Sequence, residues 1–471
     1  MEKKKTEKKS ANKKLEELLF RKKESTWYDY SEKDIHGVMS FAEEYKKFIG
    51  EAKTERLCAS AITEALEKAG FRPMEKMKNP KAGDRGYRIF KNKTITAFII
   101  GAKPETFHIV GSHIDSPRLD LKPSPLYQHS DIALLQSHYY GGIKKFHWVN
   151  TPLELHGIAF TKQGKEIEIH IGSGPHEPRF IIPDLLPHLA KEQMKKEGAK
   201  LVEGEDLNII CGHIPVNDRE IKEGIKFSVL KYLYDTYALI EEDFICAELE
   251  FVPAQQPVDI GFDRGLVGAY GQDDRVCAFA SLKAITSVKN PGHTALAYFS
   301  DKEETGSMGD TGAESFALVN FTLDYLKLCG LEDSPFSILE RSKAISADVT
   351  CAMDPTFNSV NDPLNVSYLG RGVSIEKYGG GGGKNNTNDA HAEYMQFIRS
   401  IADKNGVPWQ TGEMGKIDVG GGGTIAMFMS RYGMDCVDAG PCVLGMHSVC
   451  ELTSKSDIYS AYLLYRAFLS E

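Results

Sequence analysis

Three short apolar runs constrain this chain most: "TFHIVGSHID" at 106–115, "TALAYFS" at 294–300 and "AISADVT" at 344–350, each of which delivers acidic residues at or near its C-terminal end. Runs this short, rich in β-branched or aromatic residues and bounded by Gly or Pro, read as buried strands, as does "TITAFIIG" at 94–101. Between the first two, "DDRVCAFASLKAIT" sets Val276, Phe279, Leu282 and Ile285 on one helical face. Strands alternating with helices predict an α/β sheet, and in such sheets ligands gather beyond the carboxyl ends of the strands. The acids therefore sit where a site would form.

At 471 residues the chain exceeds one ordinary core, so two domains are expected. From about 11 to 70 the pattern is helical: "KKLEELLFRKK" and then "SFAEEYKKFIGEAKTERLCASAITEALEKAG", with Gly70 closing the second stretch where a C-terminal cap belongs. The strand-end acids resume only at "GFDRGLVGAYGQDDR". The intervening 118–258, with β-type segments such as "VNTPLELHGIAF" and "GKEIEIHIG" and one helical stretch "FSVLKYLYDTYALIEEDF", reads as a domain inserted between catalytic parts at 1–117 and 259–471.

With 41% hydrophobic and 26% charged residues the chain is an ordinary globular one rather than a disordered one. A formal net charge of -9 argues against nucleic acid or an anionic membrane as partner. The one basic concentration, "MEKKKTEKKSANKK" at the N-terminus, has no apolar stretch behind it for a signal peptide or membrane span and reads as a solvated, partly frayed helix start. Nine scattered cysteines form neither a disulfide framework nor a C-x-x-C zinc spacing, which fits a reducing cytoplasm.

Taken singly, the polar candidates have ordinary explanations. His113 in "GSHIDSPRL" could be a hydrogen-bonded strand-end histidine, with Asp115 orienting its ring. Asp273 or Asp274 in "GQDDR" could cap a helix, although capping accounts for one aspartate and not both. Asp348 within an apolar run is costly to bury unpaired, and His447 in "LGMHSVCE" proves little alone. Together, His113, Asp273, Glu304, Asp348 and His447 supply the nitrogen and oxygen donors for two divalent cations, three ligands each with one carboxylate shared. Glu303 is then left free to handle the proton of the water that the metals activate.

The ordered motifs "HIDSPRL", "GQDDR", "DKEETGS", "SADVTCAMDP" and "GMHS" resemble those of the aspartyl aminopeptidase and vacuolar aminopeptidase I family over most of the chain. The glycine-rich "KYGGGGGKNNTNDAHAEY" and "VGGGGTIAMF" are most similar to its bacterial branch. The resemblance implies a mixed-sheet α/β/α zinc-peptidase domain carrying an inserted, mainly β dimerisation domain, a cocatalytic pair of zinc ions (cobalt or manganese also suit these donors), and a tetrahedral homododecamer. It implies that His113 and Asp348 hold one ion, Glu304 and His447 the other, and that Asp273 bridges them. It makes Glu303 the general base, with Asp115 supporting the metal site through His113. Lys384 matches a lysine near the substrate, and His188 in "IPDLLPHLA" a histidine that reaches a neighbouring subunit's active site.

Two positions depart from the animal enzymes: His391 stands where they carry tyrosine, and "GGGGT" at 420–424 replaces a more polar turn. Both lie where substrate side chains would be read, so acidic and neutral N-terminal residues both stay open. The glycine run is no phosphate loop, because Tyr378 and Asn385 occupy positions that such a loop gives to Gly and to Ser or Thr. The expected activity is removal of N-terminal residues from peptides with a free amine. A related metal-dependent deacylase or carboxypeptidase, and a non-catalytic shell protein, are the alternatives.

Overall fold

The computed structural model describes residues 10–21 and 24–471. Most of the basic N-terminal concentration, residues 1–9, lies outside the described residues. Its continuation, Ala11–Leu19, is a helix that buries none of its residues and is capped by the Ser10 side chain. The longer helical stretch is two helices, Glu32–Glu51 and Glu55–Lys68. They part because Lys53 turns inward, its Nζ 2.8 Å from Glu154 Oε1 and 2.9 Å from the Pro253 carbonyl, while the Thr54 side chain caps the second helix. Gly70, at φ 83°, follows that helix as the sequence suggests.

A nine-stranded mixed sheet forms the centre. Its four middle strands run in the order His293–Ser300, Lys103–His113, Lys343–Ser346, Asp435–Gly440 and are mutually parallel. Strand His293–Ser300 shows how the layers form: Ala295, Ala297 and Phe299 join one core with Val276, Phe279, Ile458 and Leu464, while Leu296 and Tyr298 join another with Phe321, Tyr325 and Leu326. Alternate residues of a strand face opposite sides, so helices must cover both. Helix Gln272–Ser287 is buried almost all round rather than on one face, because helix Lys455–Ser470 covers its outer side. The run "AISADVT" is not one strand: Lys343–Ser346 belongs to the large sheet and Thr350–Cys351 to a small five-stranded one, and Asp348 sits in the crossing between them.

Residues 118–253 contribute a separate, wholly antiparallel six-stranded sheet, from strand Arg118–His129 to strand Ala247–Pro253. It has its own core around Leu119, Trp148, Leu155 and Phe251. Its helix is shorter than the sequence suggests, Gly224–Tyr237, ended by Ala238 in the left-handed conformation and followed by a separate 3-10 turn at Glu241–Cys246. Among the described residues no helix is long and apolar enough to cross a membrane.

Candidate metal centre

The carboxyl ends of the parallel strands and the strand connections at one end of the small sheet meet at one place. Strand Lys103–His113 ends in the first histidine, strand His293–Ser300 leads into the Glu303–Thr305 turn, and strand Lys343–Ser346 leads to Asp348. Strand Leu266–Ala269 of the small sheet delivers Asp273, and the connection between its strands Cys442–Leu444 and Glu451–Ser454 carries His447. All five expected ligands and Glu303 are thus brought together.

Asp273 lies between the two histidines. Its Oδ1 is 3.1 Å from His113 Nε2, and its Oδ2 is 3.2 Å from His447 Nε2. Glu304 Oε2 lies 3.3 Å from the same His447 nitrogen, whereas Glu303 Oε2 and Asp348 Oδ1 lie 3.8 and 3.9 Å from His113 Nε2. The adjacent glutamates therefore leave one turn toward different histidines. What holds that turn is Asp115, whose Oδ1 accepts from the Glu303 N–H at 3.1 Å and whose Oδ2 accepts from the Glu304 N–H at 3.2 Å. His113 Nδ1 is 3.2 Å from the same carboxylate, which leaves Nε2 turned toward the other acids.

Neither Asp273 nor Asp274 is the helix cap, so the ordinary explanation weighed for one of them does not apply. Gly271 stands at the helix N-terminus, and both aspartates have non-helical backbone angles, joined by a cis peptide bond. Asp274 Oδ2 accepts instead from the His113 N–H at 3.3 Å. Three further residues act here without having been singled out in the sequence. Glu451 accepts from the Asp273 N–H at 3.0 Å and the His447 N–H at 2.7 Å, Tyr140 donates its hydroxyl to Asp115 Oδ2 at 2.7 Å, and the Gly142 carbonyl lies 2.8 Å from His447 Nδ1. His447 itself sits at φ 63°, an uncommon backbone state for a residue other than glycine, pinned by the Glu451 and Gly142 contacts.

The electrostatics show what the site lacks on its own. Burial, reinforced by Asp115 and Asp273, pushes the Glu303 carboxyl up to about 7 against the pull of the histidines. Burial and neighbouring acids likewise raise Glu304 and Asp348 well above the carboxylate range. Burial would also lower His447, but Asp273 and Glu304 outweigh it and bring it up to about 10. Burial would raise Asp273, yet its hydrogen bonds to His113 and His447 hold it below the usual range. Glu304 Oε1 and Asp274 Oδ1 are buried with no hydrogen-bond partner. Crowded carboxylates with orphaned oxygens are costly without a cation. The ligand atoms of His113, Asp273 and Glu304 lie within 4.8 Å of one another, as do those of His113, Asp274 and Asp348, so the donor set fits divalent metal.

Lys384 and His188 lie apart from this cluster. Lys384 Nζ pairs with Asp389 Oδ2 at 2.8 Å and rests 3.8 Å over the Tyr378 ring in the glycine-rich loop. His188 is exposed in the connection that follows Ile182 in the six-stranded unit.

Known proteins resemble this chain in sequence and fold. Residues 48–469 match the family model described as aminopeptidase I zinc metalloprotease (M18). A probable M18 family aminopeptidase 1 of Clostridium acetobutylicum is 43% identical over 460 residues, 96% of this chain and 99% of that protein. The crystal structure of an M18 family aminopeptidase from Thermotoga maritima is 42% identical, covers 96% of this chain and 100% of its own, and superposes with a TM-score of 0.92. The mApe1 dodecamer of S. cerevisiae, 21% identical over 91% of this chain and 95% of its own, shares the fold with a TM-score of 0.72.

Proposed function

The chain belongs to the M18 family of zinc metalloproteases, the aminopeptidase I family, and from that premise we propose that it removes N-terminal residues from peptides using two divalent ions. It is an aminopeptidase, a metal-dependent exopeptidase, and the non-catalytic reading is not favoured by relatives that carry that name over their whole length. The observation that carries the two-ion reading is Asp273, with one oxygen facing each histidine. In this reading His113 and Asp348 hold one ion, Glu304 and His447 the other, and Asp273 both. Ions held there would polarise the scissile carbonyl and acidify water, as paired divalent metals do.

The chain's own groups supply the rest. Glu303 is the carboxylate left without a ligand partner, beside the ligands on the same turn as Glu304, where it can take a proton from the attacking water and return it to the departing amine. Asp115 fixes the carboxylate's backbone and the tautomer of His113 at once. A free α-amine would bind near the metals, so that only N-terminal residues are removed. Lys384 is the proposed substrate-side lysine, and Asp389 is shared between it and Lys377, so one positive charge is left over in this loop. An acidic first residue is therefore as compatible with it as a neutral one such as Leu.

The test is hydrolysis of unblocked and N-acetylated peptides beginning with Leu, Asp, Glu or Lys by zinc-loaded protein. Cleavage confined to unblocked peptides is the expected result, and their ranking gives the preferred first residue. Cleavage of the acetylated set would replace this reading with a deacylase or carboxypeptidase.

The six-stranded unit is the proposed dimerisation domain. In support, Leu185, Leu186, Leu189 and Met194 on it are 51–73% exposed, an apolar surface that an isolated chain would leave in water. His188 lies among them and is the proposed reach into a neighbouring active site. A tetrahedral dodecamer, the assembly size seen in yeast mApe1, is the proposed end state. Sedimentation should give a mass near twelve times that of the chain, and a monomer at micromolar concentration would refute the assembly. The nine cysteines are all free thiols, which supports a reducing cytoplasm.

A further inference from the structure

We infer that the turn Tyr140–Gly142, at the end of the six-stranded sheet, orients both histidines of the metal centre, with Tyr140 as a positioning residue. The inference rests on the reading of His113 and His447 as ligands. A ligating imidazole needs its second ring nitrogen held, and the partners that hold it tune metal affinity. Here both partners trace to one turn of the other sheet. The Tyr140 hydroxyl donates to Asp115, whose carboxylate and main-chain carbonyl lie 3.2 and 3.1 Å from His113 Nδ1, and two residues on the Gly142 carbonyl meets His447 Nδ1.

The turn is built for this. Gly141 is at φ 74°, and a Cβ there would lie 3.3 Å from Glu304 Cβ and from Pro117. The backbone can press against the ligand turn only because that residue is glycine. The Tyr140 ring is clamped in turn. Arg118 stands directly opposite Tyr140 across the strand pair, with its guanidinium 3.9 Å from the ring centroid. That guanidinium is buried and tied to Glu250 of the six-stranded sheet at 3.2 Å and to Glu55 of helix Glu55–Lys68 at 3.2 Å. A rigid path thus runs from Glu55 in the catalytic body through Arg118 and Tyr140 to Asp115 and His113.

A bland alternative is that the hydroxyl only satisfies Asp115, which already has the Glu303 and Glu304 amides. Against it, a single turn serves histidines on opposite sides of Asp273. Metal affinity separates the two. In the full-length protein, zinc is titrated against a competing chelator for wild type, Tyr140→Phe and His113→Ala, alongside kcat, KM and the unfolding midpoint of the metal-free form. Tyr140→Phe keeps the ring on Arg118 and should weaken zinc about 10–100-fold, lower kcat at limiting zinc, and leave KM and the metal-free midpoint near wild type. Zinc affinity within twofold of wild type overturns the inference, whatever the midpoint does. Should Tyr140→Phe fail to fold, Gly141→Ala, which keeps the hydroxyl but disturbs the turn, reads the same affinity with the same two outcomes. If His113→Ala binds zinc as wild type does, the ligand reading itself has failed, and the inference falls with it.

Discussion

Replacing Glu303 with glutamine is expected to lower kcat by about 10²–10⁴-fold, the usual worth of a positioned general base, while zinc content stays at its wild-type level. The amide keeps the shape of the side chain and the backbone N–H that Asp115 accepts, so the turn carrying Glu304 is undisturbed. Only the group that can carry a proton is lost. Glu303 Oε2 and the proposed ligand Asp348 Oδ1 stand at similar distances from His113 Nε2, 3.8 and 3.9 Å, so metal content rather than distance separates base from ligand. Single-turnover kinetics with metal analysis on the same sample decide it. A variant that loses one ion would show Glu303 to be a ligand, and one that keeps kcat within about tenfold would leave the general base unidentified.

Asp273→Asn should be the most damaging change to the metal centre. If its two oxygens serve two ions, removing the charge weakens both, whereas Asp348→Asn should release one. A four-ligand zinc site is worth about 10–16 kcal/mol, so one shared ligand should cost each ion on the order of 10²-fold in affinity. Dialysed Asp273→Asn is expected to retain little zinc and no measurable turnover, and dialysed Asp348→Asn about half the wild-type zinc. Equal losses in the two variants would remove the bridging role. The metal-free form of Asp273→Asn should also be less stable than metal-free wild type, because His113 and His447 lose the carboxylate that both face.

The sequence carried the candidate ligand set because those residues lie at or just beyond strand ends. A buried strand is legible from its apolar run, and a histidine or acid at its carboxyl end stands out against that run, as His113, Glu304 and Asp348 do. Their order along the chain also repeats the family's order. Errors arose where burial and local pattern part company. "AISADVT" is apolar throughout, so nothing local marks the point where the chain leaves one sheet for another at Asp348. In "GQDDR" the local rule for helix starts could account for one aspartate only, and in the structure Gly271 stands at the cap position instead of either.

What holds the ligands was not legible, and distance along the chain is the reason. Tyr140 is 25 residues from Asp115, Glu451 is 178 from Asp273, and Gly142 is 305 from His447. A tyrosine, a glutamate and a pair of glycines have no periodic or motif signature until folding brings them to their partners. The sequence by itself determined the α/β architecture and which donors could meet a metal, since strand composition and strand-end acids are local properties. Only the tertiary structure decided that Asp273 faces both histidines, that Asp115 and Glu451 hold the ligand backbones, and that a second sheet reaches in to orient the imidazoles. Those are contacts between segments remote in sequence, and their geometry exists only once the sheets have packed.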